Sequence, residues 1–227
     1  SIPDSDSDDD EAPIEAQTGS SRVLVRGNQI MADRDTIEGT WRDAHPNSEW
    51  VVVDNTTQSL DDDGLDINLI SVARTVVANN VFRSYDDSVM EIDGFNGGES
   101  SDEAAEQPNL NWPMDLVVWN NDVHVGIREN LEIRWKMFGR EGNAYVGQND
   151  AWGNTESEAM DFRLEQGAAL LAERNIAGLN DVDSSDAIDT FCTGTSELVL
   201  RNNIAAWGSG SGIDTNGCVA HLENNTT

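Results

Sequence analysis

The chain has little positive charge, little cysteine and little histidine. Lys136 is its only lysine, and with the arginines the basic set reaches 13 against 43 Asp and Glu, so the 227 residues carry a net charge of −30. One lysine, placed inside an alternating strand-like run, excludes a phosphate-cradling loop closed by Lys and Ser/Thr, and it excludes Schiff-base chemistry. The negative excess repels phosphate, which excludes direct binding of nucleic acid and docking onto anionic lipid. No run reaches the roughly 18 apolar residues of a membrane span. Leu65 to Phe82 comes nearest and is interrupted by Asp66, Asn68, Arg74, Asn79 and Asn80, so no membrane insertion is expected. The first residues show neither a charged nor an apolar leader segment, yet a processed secreted chain would look the same, so export stays open.

Histidine is as scarce. His45, His124 and His221 form neither His-x-His nor His-Glu-x-x-His. Cys192 and Cys218 are the two cysteines. They fit a disulfide closing a 25-residue loop, worth about 3–4 kcal/mol in the chain-entropy model. Two buried thiols, or a covalent link to a partner, fit as well. With His221 the same cysteines supply three zinc ligands but lack a fourth. Gly208 to Gly212 places its serines in the wrong frame for a nucleophile elbow.

Acid is what the chain has in abundance, and it is spread along the whole length. At about 0.1 M salt the Debye length is roughly 10 Å and such a charge pushes a folded chain apart; at molar salt it falls to about 3 Å and the repulsion is screened. Carboxylates also hold hydrated monovalent cations without specificity, and Arg in place of Lys fits the same setting. These features point to an extreme halophile or to something that infects one.

Along the chain, 1–20 is acidic with almost nothing to bury and is expected to be a flexible arm. From Ser21 the pattern is one of short alternating runs: Arg22 to Arg26, Trp50 to Val53, Leu65 to Leu69, Thr75 to Phe82, Val89 to Ile92, Leu131 to Met137, Met160 to Leu164, Ala187 to Phe191, Glu197 to Leu200, Ile204 to Trp207 and Val219 to Leu222. Met114 to Trp119 and Val123 to Ile127 flank Asn120-Asn121-Asp122 and read as a hairpin. Residues 94–113 and 139–155 read as long loops or insertions, Ala168 to Arg174 as the one segment suited to a helix, and 223–227 as a polar tail. No internal repeat of fixed period is evident. About a dozen short strands at 8–12-residue spacing predict one all-β domain over 21–222, a jelly roll or related sandwich or barrel with decorated loops and room for a small extra β subdomain.

With 43 carboxylates, close acidic pairs arise by chance. Asp61-Asp62-Asp63-Gly64 resembles part of a calcium loop, but Ser59 stands at the expected first ligand and Ile70 at the expected bidentate Glu. Asp181, Asp183, Ser185 and Asp186 lack the Gly and the Glu. No specific metal site, cofactor or catalytic residue is expected, and the absence of an active-site pattern counts against an enzyme. Asn55, Asn224 and Asn225 match the glycosylation acceptor pattern, which recurs by chance in so Asn- and Thr-rich a chain. The seven tryptophans outnumber the other aromatic types. Trp119 and Trp135, in alternating strands, are expected in the core, and loop-borne Trp112 and Trp152 are candidates for an interface.

Through its length, its acidity and the strand run from Arg22 to Leu222, the chain resembles the larger major capsid protein of tailless icosahedral haloarchaeal viruses with an internal membrane. That resemblance implies an upright single jelly roll, pseudo-hexameric capsomers, assembly with further copies and with a second, smaller capsid protein, and a place in the virion. The alternative is an extracellular or viral β-sandwich that binds carbohydrate or a cell surface, as a receptor-binding or decoration module does.

Overall fold

In a computed structural model, residues 12–15, 22–42, 46–96, 112–124, 128–138, 141–153, 157–178, 186–206 and 210–227 are described, without the side chains of 41 and 42. The chain winds as a β-solenoid whose rungs each hold up to three short strands. The first three rungs are β1 (Ile14–Glu15), β2 (Arg22–Arg26), β3 (Gln29–Ala32); β4 (Ile37–Arg42), β5 (Glu49–Val53), β6 (Thr56–Ser59); and β7 (Leu65–Ile70), β8 (Arg74–Ala78), β9 (Val81–Arg83). Next come β10 (Met90–Phe95), β11 (Met114–Trp119), β12 (Asp122–His124), then β13 (Leu131–Lys136), β14 (Gly142–Gly147), β15 (Asp150–Trp152). The stack continues with β16 (Met160–Glu165), β17 (Ala169–Glu173), β18 (Ile176–Gly178), then β19 (Ile188–Cys192), β20 (Glu197–Arg201), β21 (Ile204–Ala206), and β22 (Val219–Glu223). Each strand pairs with the third one after it, always parallel, except that β22 pairs with β20, giving three sheets: sheet A from β1 to β19, sheet B from β2 to β22 and sheet C from β3 to β21. No helix occurs among the described residues.

The expected jelly roll is therefore corrected. Alternation with a period of two shows that a strand has one buried and one outer face; it does not show whether its neighbours run parallel. Met114–Trp119 and Asp122–His124 are not a hairpin, because β11 and β12 belong to different sheets and each pairs with strands of the adjoining rungs. Residues 168–174 hold β17 rather than a helix, since Leu170 and Ala172 fill the core. The expected loop 139–155 holds β14 and β15. Within the expected arm, Ala12 is buried and Ile14–Glu15 form β1 beside β4; of the insertion at 94–113, residues 97–111 lie outside the described residues. The polar tail belongs to the last rung, where Glu223 ends β22 and Asn225 joins the ladder described next.

A repeat does exist, carried by the turn from sheet B to sheet C. Gly27, Asp54, Asn79, Asn120, Gln148, Arg174, Asn202 and Asn224 all have positive φ, and each is followed by asparagine. One left-handed residue turns the chain by a corner, where a hairpin would need two to reverse it. Asn28, Asn55, Asn80, Asn121, Asn149, Asn175, Asn203 and Asn225 then stack. Each Oδ1 from Asn55 onward accepts the backbone N–H and the side-chain amide of the asparagine before it, at 2.9–3.1 Å. Each amide also donates to a carbonyl of the preceding rung, as from Asn149 to Val118 at 3.1 Å. The separations are 27, 25, 41, 28, 26, 28 and 22 residues, so no fixed period marks the repeat. Asn55, which matches the glycosylation pattern, is only 1% exposed and bonded within this ladder.

Inside the stack, apolar columns fill the space between the sheets. Ile67, Ile92, Ile133 and Phe162 form one such column on sheet A, and Val52, Val77, Val118 and Val146 one on sheet B; all eight are buried. The core also takes Trp50 and Trp135. Trp135 lies against Gly94 of the neighbouring rung, where an added Cβ would stand 1.9 Å from the indole.

Candidate functional site

In-register parallel pairing turns each outward position into a column, with one side chain per rung at about 4.8 Å spacing. On sheet A the first such column is wholly acidic: Glu15, Glu38, Asp66, Glu91, Glu132, Asp161 and Asp189. The adjacent column carries Asp93, Arg134 and Arg163 on successive rungs. Arg134 spans three carboxylates, with Nη1 at 3.0 Å from Glu91 and 3.5 Å from Asp93, and Nε at 2.8 Å from Glu132. Arg163 holds Asp161 at 2.8 Å and approaches Glu132 at 3.7 Å. Loss of water around the acids outweighs these arginines. Burial and neighbouring carboxylates push Glu132 up to about 7, and burial pushes Asp93 and Asp161 up to about 6.

Sheet B presents a different outer face. Its central column is Leu24, Val51, Val76, Val117, Tyr145, Leu171 and Val199, apolar or aromatic on seven successive rungs, none of them buried. Along one edge runs Arg22, Glu49, Arg74, Asp115 and Asn143. The signs alternate there, so neighbours attract: Arg74 lies 3.4 Å from Glu49, and Asn143 donates to Asp115 at 3.3 Å. Trp112, just before β11, closes this edge into an open pocket of about 310 Å³ lined also by Arg22, Glu49, Arg74 and Asp115. Its indole N–H donates to the Ser71 carbonyl at 3.3 Å, and the Asn96 amide holds its own carbonyl at 3.4 Å. On the far edge Trp119 and Tyr145 stack, with ring centroids 5.6 Å apart and planes inclined 19°. The Tyr145 hydroxyl donates to Glu173 at 2.8 Å, and Arg201 holds the same carboxylate at 2.6 Å. Partial burial and that bond push Tyr145 up to about 12, and Arg201 with Tyr145 holds Glu173 below its ordinary value.

The two interface candidates are not brought together. Trp112 borders sheet B, whereas Trp152 is half-buried in β15 of sheet C against Gly178. Cys192 and Cys218 form a disulfide with Cα atoms 4.6 Å apart, which clips the last rung to β19 and removes both sulfurs as zinc ligands or nucleophiles with His221. His124 Nε2 lies 2.6 Å from Asp122 Oδ1, and His45, Trp207 and 181–185 fall outside the described residues. Asp186 lies with Asp189 and Asp214 in an acidic group whose carboxylates are each partly exposed. Trp119 corrects an expectation: Met114, Leu116 and Val118 point inward, so the alternation itself turns Trp119 out. The same parity, applied across rungs, is the signal that would have revealed the apolar column.

No protein-family model, curated protein or solved structure matches the chain.

Proposed function

We propose that this chain is an extracellular, non-catalytic binding module that works in concentrated salt and holds a glycan along the outer face of sheet B. The observation that carries this reading is the apolar column of that face, kept through seven rungs of a chain whose net charge is −30. Exposed apolar surface bounded by polar groups marks interaction sites. A sugar offers an apolar ring face to Trp112, Trp119 or Tyr145, and its hydroxyl rim to the forked groups of Arg22, Glu49, Arg74 and Asp115. A stack of similar rungs suits a polymer of similar units. The Cys192–Cys218 disulfide favours an oxidising compartment. On sheet A, by contrast, Arg134 and Arg163 already engage the carboxylates, and the reading gives that face no reaction.

Assembly into a capsid remains the second reading in name, but the subunit shape it implied was a jelly roll, which the solenoid replaces. The test is binding to immobilised polysaccharides in about 3 M KCl, where charge repulsion is screened. Trp112→Ala is expected to weaken the retained glycan at least about tenfold, roughly 1.4 kcal/mol, while Trp152→Ala on sheet C leaves affinity unchanged. Failure of the unaltered protein to retain any glycan, or equal loss in both variants, overturns the reading. Sedimentation of the same material as megadalton particles would restore the capsid.

A further inference from the structure

The corner where sheet C passes into sheet A holds a second concentration of acid, which adjoins the sheet A column at Glu38 and Asp66. Asp35 lies between β3 and β4, and Asp62 and Asp63 lie between β6 and β7, so adjoining rungs bring them together from 27 and 28 residues apart. Carboxylate oxygens of the three lie within 4.8 Å of one another, and those of Asp35, Glu38 and Asp66 form an overlapping group of the same size. An acidic cluster alone is common in so acidic a chain. The decisive feature is Asp63: it is only 6% exposed, and its buried Oδ1 has no hydrogen-bond partner. Its backbone N–H is satisfied, donating to Asp35 at 2.9 Å and to Asp62 at 3.2 Å, which leaves the carboxylate itself as the unanswered group. A buried charge without a partner costs several kcal/mol unless a cation answers it.

We propose that Asp35, Asp62 and Asp63, with Glu38 and Asp66 beside them, bind one divalent cation of the calcium class and thereby tie the second rung to the third. The donors are all carboxylate oxygens, those of Asp35, Asp62 and Asp63 on the segments between strands and those of Glu38 and Asp66 at strand starts, which suits Ca²⁺ with its six to eight flexible oxygen ligands better than octahedral Mg²⁺ or a nitrogen- and sulfur-seeking metal. A cation there answers the buried, unpartnered Oδ1 of Asp63 and the carboxylate oxygens gathered within 4.8 Å of one another beside it. Asp61-Asp62-Asp63-Gly64 lacks the spacing of a one-loop calcium site because its remaining ligand is supplied by the rung before.

The test uses the full chain, freed of metal with EDTA and held in about 3 M KCl to saturate non-specific cation binding. CaCl₂ alone is added, retained calcium is counted by equilibrium dialysis, and Tm is read by circular dichroism. The unaltered protein is expected to retain one equivalent and to gain roughly 5–10 °C at a hundred times the Kd. Asp63→Asn is expected to lose both responses, yet to melt in EDTA no lower than the unaltered chain, because a buried carboxyl with an unpartnered oxygen is replaced by a neutral amide of the same shape. Asp186→Asn is expected to keep both. Should Asp63→Asn fail to fold, Asp35→Asn is read by dialysis instead. No retained calcium in the unaltered chain, or equal retention after substitution at Asp63 or Asp35, overturns the site and leaves only adventitious binding.

Discussion

Sheets A and B share the same rungs and the same in-register stacking, yet their outer faces carry opposite chemistry. On sheet A, like charges repeat from β1 to β19, an arrangement that repels itself directly across strands and is relieved where Arg134 and Arg163 reach over it. On sheet B the charged edge alternates in sign, and the centre of the face carries no charge from Leu24 to Val199. The first face spends its side chains on one another. The second leaves apolar surface partly open to solvent, most of all at Leu24, although acidic residues are plentiful elsewhere. For a protein this acidic, the place where charge has been withheld is the more informative one, and it is why binding is proposed for sheet B.

The largest effect that separates the faces lies at neither of them but in the asparagine ladder. Asn149 accepts two bonds from Asn121 and donates to Asn175 and to the Val118 carbonyl. Asn149→Ala leaves those groups unpaired in the interior and is expected to cost about 3 kcal/mol. Hydrogen exchange should show where: amides of β11, β14 and β17, which enter the ladder turns, lose protection first, and those of β13 and β16 on sheet A lose it last. Equal loss on both sheets would mean that the faces share one support and would break the comparison.

That ladder also marks the limit of what the sequence made legible. The alternations Leu131-Ile133-Trp135 and Met160-Phe162-Leu164 identify strands and their inner faces, and the structure places all six residues in the core. Stacking is another matter, because a parallel neighbour lies a whole rung away and rung length changes from 22 to 41 residues. The pairs Asp54-Asn55, Gln148-Asn149 and Arg174-Asn175 look individually like ordinary turn chemistry; only their stacking distinguishes them. The site was legible in part. Trp112 is recognisable as an aromatic residue outside a strand, whereas Trp119 is assigned outward only once parity is followed along β11, and Asp35 joins Asp62 and Asp63 only when rungs are superposed.

A second, smaller effect distinguishes the faces by the sign of their response to pH. Glu132, Asp93 and Asp161 on sheet A titrate near 6–7 in the folded chain, above their ordinary values, under the influence of burial, of Glu91, Glu129 and Asp189, and of Arg134 and Arg163. The folded chain therefore keeps protons that the unfolded chain has lost, and stability falls as pH rises from about 4.5 through 7. In EDTA and about 3 M KCl, Tm is expected to be higher at pH 5 than at pH 8 by on the order of 5 °C. Glu173 on sheet B acts the other way: its pKa is lowered in the folded state, so its contribution is lost only as pH falls below the ordinary carboxylate range. Glu132→Gln should make the first slope shallower, Asp35, Asp63, Asp66, Asp93 and Asp161 carrying the rest, and leave the acid limb in place. A Tm that rises steadily from pH 5 to 8 would show that the acidic column does not strain the fold.

The smallest effect tests whether the aromatic edge of sheet B is set up for a ligand or simply completes the sheet. Tyr145→Phe keeps the ring against Trp119 and removes only the hydroxyl that donates to Glu173. Arg201 still holds that carboxylate at 2.6 Å, so no buried charge is stranded and the stability cost should stay near 1 kcal/mol. If the phenol and Glu173 together present hydrogen-bonding groups to a sugar rim, glycan affinity should fall about threefold to fivefold, because an isolated neutral hydrogen bond is worth about 1 kcal/mol. Tyr145→Ala, which also removes the stacking surface, should then lose more affinity than Tyr145→Phe by a further factor of several. Equal affinities for the two variants and the unaltered chain would confine binding to the Trp112 edge and reduce Trp119 and Tyr145 to cover for Gly147, over which the indole of Trp119 packs where an added Cβ would stand 2.6 Å away.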